Sequence, residues 1–92
     1  MWTLTFIDYK KRKVLLSKER WNHIQYHEEA PPTIEEIMDV LAYPTTVRAS
    51  VMDGRIRYYH YNKKYKKYVL VVVSYINLEG CIITSHFTSK IK

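Results

Sequence analysis

Between the turn signals Asn62-Lys63-Lys64 and Asn77-Leu78-Glu79-Gly80 lies a segment, Tyr65 to Ile76, whose centre Val69–Val73 is apolar at every position. A strand with one wet face alternates, whereas one that is apolar throughout is covered on both faces and sits in the middle of a sheet. The neighbouring segments have the period to flank it. In Arg55 to Tyr61, residues Arg55, Arg57, Tyr59 and Tyr61 share one face and Ile56, Tyr58 and His60 the other. Asp53-Gly54 is a hairpin turn signal, preceded by Thr46–Val51 with Arg48 and Ser50 on its polar side. The last strand is Cys81–Thr88. Strict alternation puts Cys81, Ile83, Ser85 and Phe87 on a core face. It puts Ile82, Thr84, His86 and Thr88 on the other, where two hydroxyls flank an imidazole, which fits either a bound phosphate or an ordinary wet face.

The first half of the chain supplies what covers this sheet. Thr3 to Asp8 and Val14-Leu15-Leu16 form a hairpin around the basic tip Lys10–Lys13. Ser17 is an N-cap with Glu19 in the first turn, and the helix it opens runs to about Glu28, before Pro31-Pro32. Trp21 and Ile24 mark its buried stripe, and Arg20, His23 and His27 fall together on one flank. Thr33 and Glu36 form a capping box for a second helix, with Ile37, Val40 and Leu41 on its apolar face and an end before Pro44. The fold class expected is α+β: an N-terminal hairpin and two helices packed on a four-stranded antiparallel sheet, one domain over residues 1–92.

Composition narrows the function. The formal net charge is +6, which favours polyanions through counterion release. The single cysteine, Cys81, closes no intramolecular disulfide, and a reducing, cytoplasmic setting fits. The longest apolar run is far short of a membrane span, and no leader-like basic and apolar segment opens the chain. Two isolated glycines cannot build a Gly-rich phosphate loop, and no serine elbow is present. His23 and His27 have helical ligand spacing, but they lack the intervening glutamate of a zinc-protease helix, and carboxylates are scattered. No metal or other cofactor is expected.

Metal-independent RNA cleavage needs a base for the 2′-hydroxyl, an acid for the leaving 5′-oxygen, and donors for the nonbridging oxygens. Imidazoles serve both proton transfers near neutral pH, and guanidinium groups bind phosphate in a bidentate manner. His23, His27, Thr84 and His86 are the candidate catalytic groups, and Arg20, Arg48, Arg57 and Thr88 the candidate substrate-binding groups. This set works together only if the first helix lies against the polar edge of the sheet. The tyrosines Tyr58, Tyr59, Tyr61, Tyr65 and Tyr68, interleaved with lysines, permit a second reading: a noncatalytic module that stacks bases or binds an acidic protein.

The run Arg20-Trp21-Asn22-His23-Ile24-Gln25-Tyr26-His27-Glu28-Glu29 resembles the Arg-Trp-x-His-Ile-x-x-Arg-His-Pro-Glu helix of small phage- and plasmid-linked nuclease domains in the barnase–EndoU–colicin–RelE-like superfamily. Leu41-Ala42-Tyr43-Pro44, the pair Tyr58-Tyr59, Tyr68–Val73 and the ending Ile83-Thr84-Ser85-His86-Phe87-Thr88-Ser89-Lys90-Ile91-Lys92 extend the likeness from about Ser17 to Lys92. The resemblance implies a helix pair followed by a four-stranded antiparallel sheet. It also implies RNA cleavage of toxin type without metal, with an acidic antitoxin or immunity protein as a partner. By position it singles out His23, His27 and Thr84. The sequence departs from the pattern where Tyr26 replaces an arginine, Glu29 a proline and His86 an aromatic hydroxyl.

Overall fold

A computed structural model of the chain describes residues 2–27, 30–50 and 53–91. Strands β1 (Thr3–Ile7) and β2 (Lys13–Ser17) lead into helices α1 (Lys18–His27) and α2 (Ile34–Ala42). Strands β3 (Thr46–Ala49), β4 (Arg55–Asn62), β5 (Lys67–Ile76) and β6 (Glu79–Thr88) follow. The expected ends at Glu28 for the first helix and at Val51 for β3 fall outside the described residues, as do Glu29 and Lys92.

The four-stranded antiparallel sheet is overturned. All six strands join one sheet in the order β1-β2-β6-β5-β4-β3. The N-terminal hairpin is part of that sheet: β2 pairs in parallel with β6, Lys13, Val14 and Leu15 lying opposite Glu79, Gly80 and Cys81. The remaining pairings are antiparallel, so the sheet is mixed. An isolated two-stranded hairpin is marginal in water, and β6 without a neighbour would expose a row of unpaired backbone groups. Their pairing resolves both problems and buries Val14 and Leu16 completely.

Both helices cover one face of this sheet. Ser17 Oγ accepts the Arg20 backbone N–H at the start of α1, and the Thr33–Glu36 capping box is fully formed at the start of α2. Ile24 of α1 and Ile37, Val40 and Leu41 of α2 pack with Phe6, Val14, Leu16, Tyr58, Val69, Val71, Val73 and Ile82 in the main core. Full burial of each such aliphatic side chain stabilises by about 1.5–3 kcal/mol. Alternate residues of β5 point the other way: Leu70 and Val72 join Tyr59 in a smaller cluster, against which Tyr68, Ile83 and Ile91 pack. The central strand is therefore apolar on both sides for two separate reasons, the helices on one face and this cluster with the returning C-terminal segment on the other.

The phase of β6 departs from strict alternation. Val72 lies opposite Thr84 but Val73 lies opposite Ile82, so Ile83 is an extra residue in a bulge. Ile82 consequently faces the core at 1% exposure, and Cys81, expected on the core face, is exposed. Beyond the bulge Ser85 and Phe87 remain on the helix side, opposite Val71 and Val69.

The basic hairpin tip is anchored by a buried acid. Asp8 accepts the backbone N–H groups of Lys10 and Arg12 at 3.0 and 2.8 Å, and the Arg12 guanidinium at 2.9–3.0 Å. The hydroxyls of Tyr58 and Tyr75 lie 3.0 and 3.1 Å from Asp8 Oδ2 and 2.6 Å from each other. Arg12 also lies over the Tyr75 ring, 4.4 Å from its centroid. Burial raises the Asp8 carboxyl, but these hydrogen bonds and the Arg12 charge outweigh it and hold the group below the ordinary aspartate value. Tyr58, pushed far up first by burial and then by its Tyr75 and Asp8 partners, stays a protonated donor.

Candidate nucleic-acid interface

The register of β3, β4, β5 and β6 assigns the polar candidates to rows across the face away from the helices. One row reads Arg48, Arg57, Val72, Thr84. The next reads Thr46, Tyr59, Leu70, His86, and beyond it lie Tyr61, Tyr68 and Thr88. With strands about 4.8 Å apart, the Arg57 and Thr84 backbones are about 10 Å apart, a gap that an arginine side chain can largely cross.

Arg48 and Arg57 stand directly opposite each other on adjacent strands. Like charges in that position repel and cost stability. Asp53 offers Arg57 partial relief at 3.7 Å, with both side chains about one-third exposed. An anion on this face would relieve the remainder. Thr84 Oγ1 and the His86 ring, both half-buried, make no hydrogen bond among the described residues and are free to meet a ligand. Thr88 is differently placed: its hydroxyl donates to the Lys90 carbonyl and accepts the Lys90 N–H, closing the turn that sends Ile91 back over the sheet. It therefore serves the C-terminal turn before it serves any substrate.

Helix α1 is separated from these rows. α1 packs on the opposite face through Ile24 and Trp21, and His23 is exposed there. The side chain of His27 lies outside the described residues. The expected meeting of the first helix with the polar face of β6 thus does not occur. The phase of β6 sends Thr84 and His86 away from α1, while Ser85 and Phe87 point toward the helices. Arg20 differs from its helix neighbours. Sitting in the first turn of α1, it reaches a cleft of about 330 Å³ shared with Thr3, Leu15, Ser17, Cys81 and Ile83.

Two other clefts are less suited to an anion. One of about 340 Å³ is lined by Glu36, Asp39, His60 and Lys63, and its two carboxylates outnumber the single lysine. His60 Nδ1 lies 2.7 Å from the Tyr43 carbonyl, which can only accept, so that nitrogen carries a proton. The other, about 440 Å³, runs past Pro31, Glu36, Tyr65, Lys67 and Phe87, so its one cation faces a carboxylate in the same cleft. Among the described residues no three His, Cys, Asp or Glu side chains gather as a metal-ligand set, and no helix is long and apolar enough to cross a membrane. No family model, curated protein or solved structure matches the chain.

Missing from the sequence reading were the apolar cluster beneath these polar groups and the cleft between β2 and β6. The cleft had no local signal, because its walls come from segments joined only by the parallel pairing.

Proposed function

We propose that the chain is a metal-independent endoribonuclease of toxin type, as its resemblance to the barnase–EndoU–colicin–RelE-like nucleases suggests, and that it acts on RNA at the sheet face away from the helices. The observation that carries this reading is the opposed pair Arg48 and Arg57, with Thr84 in the same row and His86 in the next. In this reading the guanidinium groups and the Thr84 hydroxyl hold the nonbridging oxygens of one phosphodiester and stabilise the charge that builds there. His86 takes the proton of the 2′-hydroxyl. The 2′-oxygen then bonds to phosphorus, the bond to the 5′-oxygen breaks, and that oxygen leaves with a proton from water. The products are a 2′,3′-cyclic phosphate and a 5′-hydroxyl. His23 has no part in the chemistry.

Incubation with RNA in excess EDTA tests this. Wild type is expected to cut, His86→Ala to lose about 10²–10⁴-fold in rate, and Arg57→Ala about 10²-fold. His23→Ala is expected to cut normally. Cleavage unaffected by His86→Ala would end the reading.

A second reading has its own observation: among the described residues one imidazole, His86, faces the sheet side that carries Arg48 and Arg57, where two would divide the acid and base roles. The protein would then be a noncatalytic module for nucleic acid or an acidic partner such as an antitoxin. Salt-sensitive binding with no product in the same assay would identify it.

A further inference from the structure

The cleft between β2, β6 and the start of α1 has a composition that the cleavage chemistry leaves unused. Leu15 and Ile83 give it apolar surface, Arg20 a cation, and Thr3 and Ser17 hydroxyls. Leu15 lies opposite Cys81 and Thr3 opposite Ser17, all on the face that carries Thr84 and His86. Ser17 Oγ accepts the Arg20 backbone N–H at 3.2 Å, which leaves its own proton to donate outward. No ion pair engages the Arg20 guanidinium among the described residues. Ligand pockets combine this kind of apolar surface with a few convergent polar groups, and about 330 Å³ lies within their size range. Along β6, Cys81 precedes Thr84 by no more than about 10 Å, a step suited to the neighbouring nucleotide of the same strand.

We propose that this cleft is a nucleotide subsite, taking the nucleotide adjacent to the scissile phosphate. Its base lies on Leu15 and Ile83, its phosphate meets Arg20, and the Thr3 and Ser17 hydroxyls bond its sugar or phosphate oxygens. The subsite rests on the proposed RNA-cleaving face and extends it by one position. The pocket thereby becomes the place where the enzyme distinguishes bases, since the arginine rows contact only backbone.

Cys81, the sole cysteine and exposed at the cleft wall, reports occupancy without any activity measurement. The full chain is labelled with a thiol reagent in the presence of a short 2′-O-methyl oligonucleotide, which binds but cannot be cut. Saturating oligonucleotide is expected to slow labelling about tenfold, and inorganic phosphate at matched ionic strength to leave the rate unchanged. Arg20→Ala, a change at an exposed position, is expected to raise the half-protecting concentration about tenfold, the loss of one charge-assisted contact. Its thermal melt should match wild type. Oligonucleotide that binds by fluorescence anisotropy yet leaves Cys81 labelling at the free rate overturns the subsite and spares the cleavage reading. Protection by phosphate alone, or protection unchanged in Arg20→Ala, also overturns it. No binding at all removes the subsite and the RNA reading together.

Discussion

Asp8 shows how one residue can organise distant parts of a small domain. It is 2% exposed, and the tyrosines it meets are 50 and 67 residues away in sequence. Read locally, Lys10–Lys13 is a solvated basic turn, and nothing nearby in sequence marks Asp8 as its anchor. A group whose carboxyl is held below its unfolded value adds stability that is present above the unfolded value and lost as pH falls through the folded one. Asp8→Asn is expected to cost about 3 kcal/mol at neutral pH, because it leaves the Arg12 charge without its buried partner. The variant should also lose less of its remaining stability than wild type as pH falls below about 4. Urea unfolding across that range measures both effects. Equal acid sensitivity in the two proteins would show that other carboxylates carry it. Asp53 is one such group, held low first by the Arg55 backbone N–H, but it is exposed at the surface.

At the level of elements, the helices and most strands were legible because their signals are local. Ser17, the Thr33–Glu36 box and Asp53-Gly54 act within a few residues, and the sequence placed α1, α2 and the start of β4 through them. The phase of β6 was not legible, since a bulge inserts one residue without any mark in the alternation, and Cys81 and Ile82 exchange faces as a result. The parallel pairing of β2 with β6 was equally hidden, because both helices and three other strands lie between the partners in sequence. β6 also carries a residue fixed by its packing on β5, Gly80. A Cβ there would stand 2.7 Å from both the Tyr75 ring and Val73 Cγ1. Neither is the loose end of a flexible side chain. Gly80→Ala is therefore expected to destabilise by about 1–3 kcal/mol through overpacking. It should also disturb the Tyr75 hydroxyl that meets Asp8. Combined with Tyr75→Leu, which opens the space, the substitution should cost less than the sum of the two changes. Strict additivity in chemical denaturation would show that Gly80 does not act through Tyr75.

On the scale of the whole molecule, the two faces of the sheet differ in charge as well as in cover. α2 places Glu35, Glu36 and Asp39 on the helix side, while Arg48 and Arg57 project from the other. The net charge of +6 was plain in the sequence, but its sidedness required the register. Lysines at the hairpin tip and at the turn between β4 and β5 complicate the picture, since Lys63, Lys64 and Lys66 form an exposed basic group of their own. Counterion release separates these sources. For single-stranded nucleic acid the logarithm of affinity falls with the logarithm of salt by about 0.7 per neutralised phosphate. With Arg48 and Arg57 on one phosphate and Arg20 on the next, the slope with a noncleavable oligonucleotide should be about −1.4. Arg48→Ala combined with Arg57→Ala should reduce its magnitude by about 0.7, whereas neutralising Lys63 and Lys64 should leave it near the wild-type value. Anisotropy titrations over a range of salt concentrations measure this directly. A slope that survives both arginine changes and collapses with the lysine changes would move the nucleic-acid interface to the turn between β4 and β5. The opposed guanidiniums would then be a cost of the fold that Asp53 offsets only in part, with no ligand to relieve the rest.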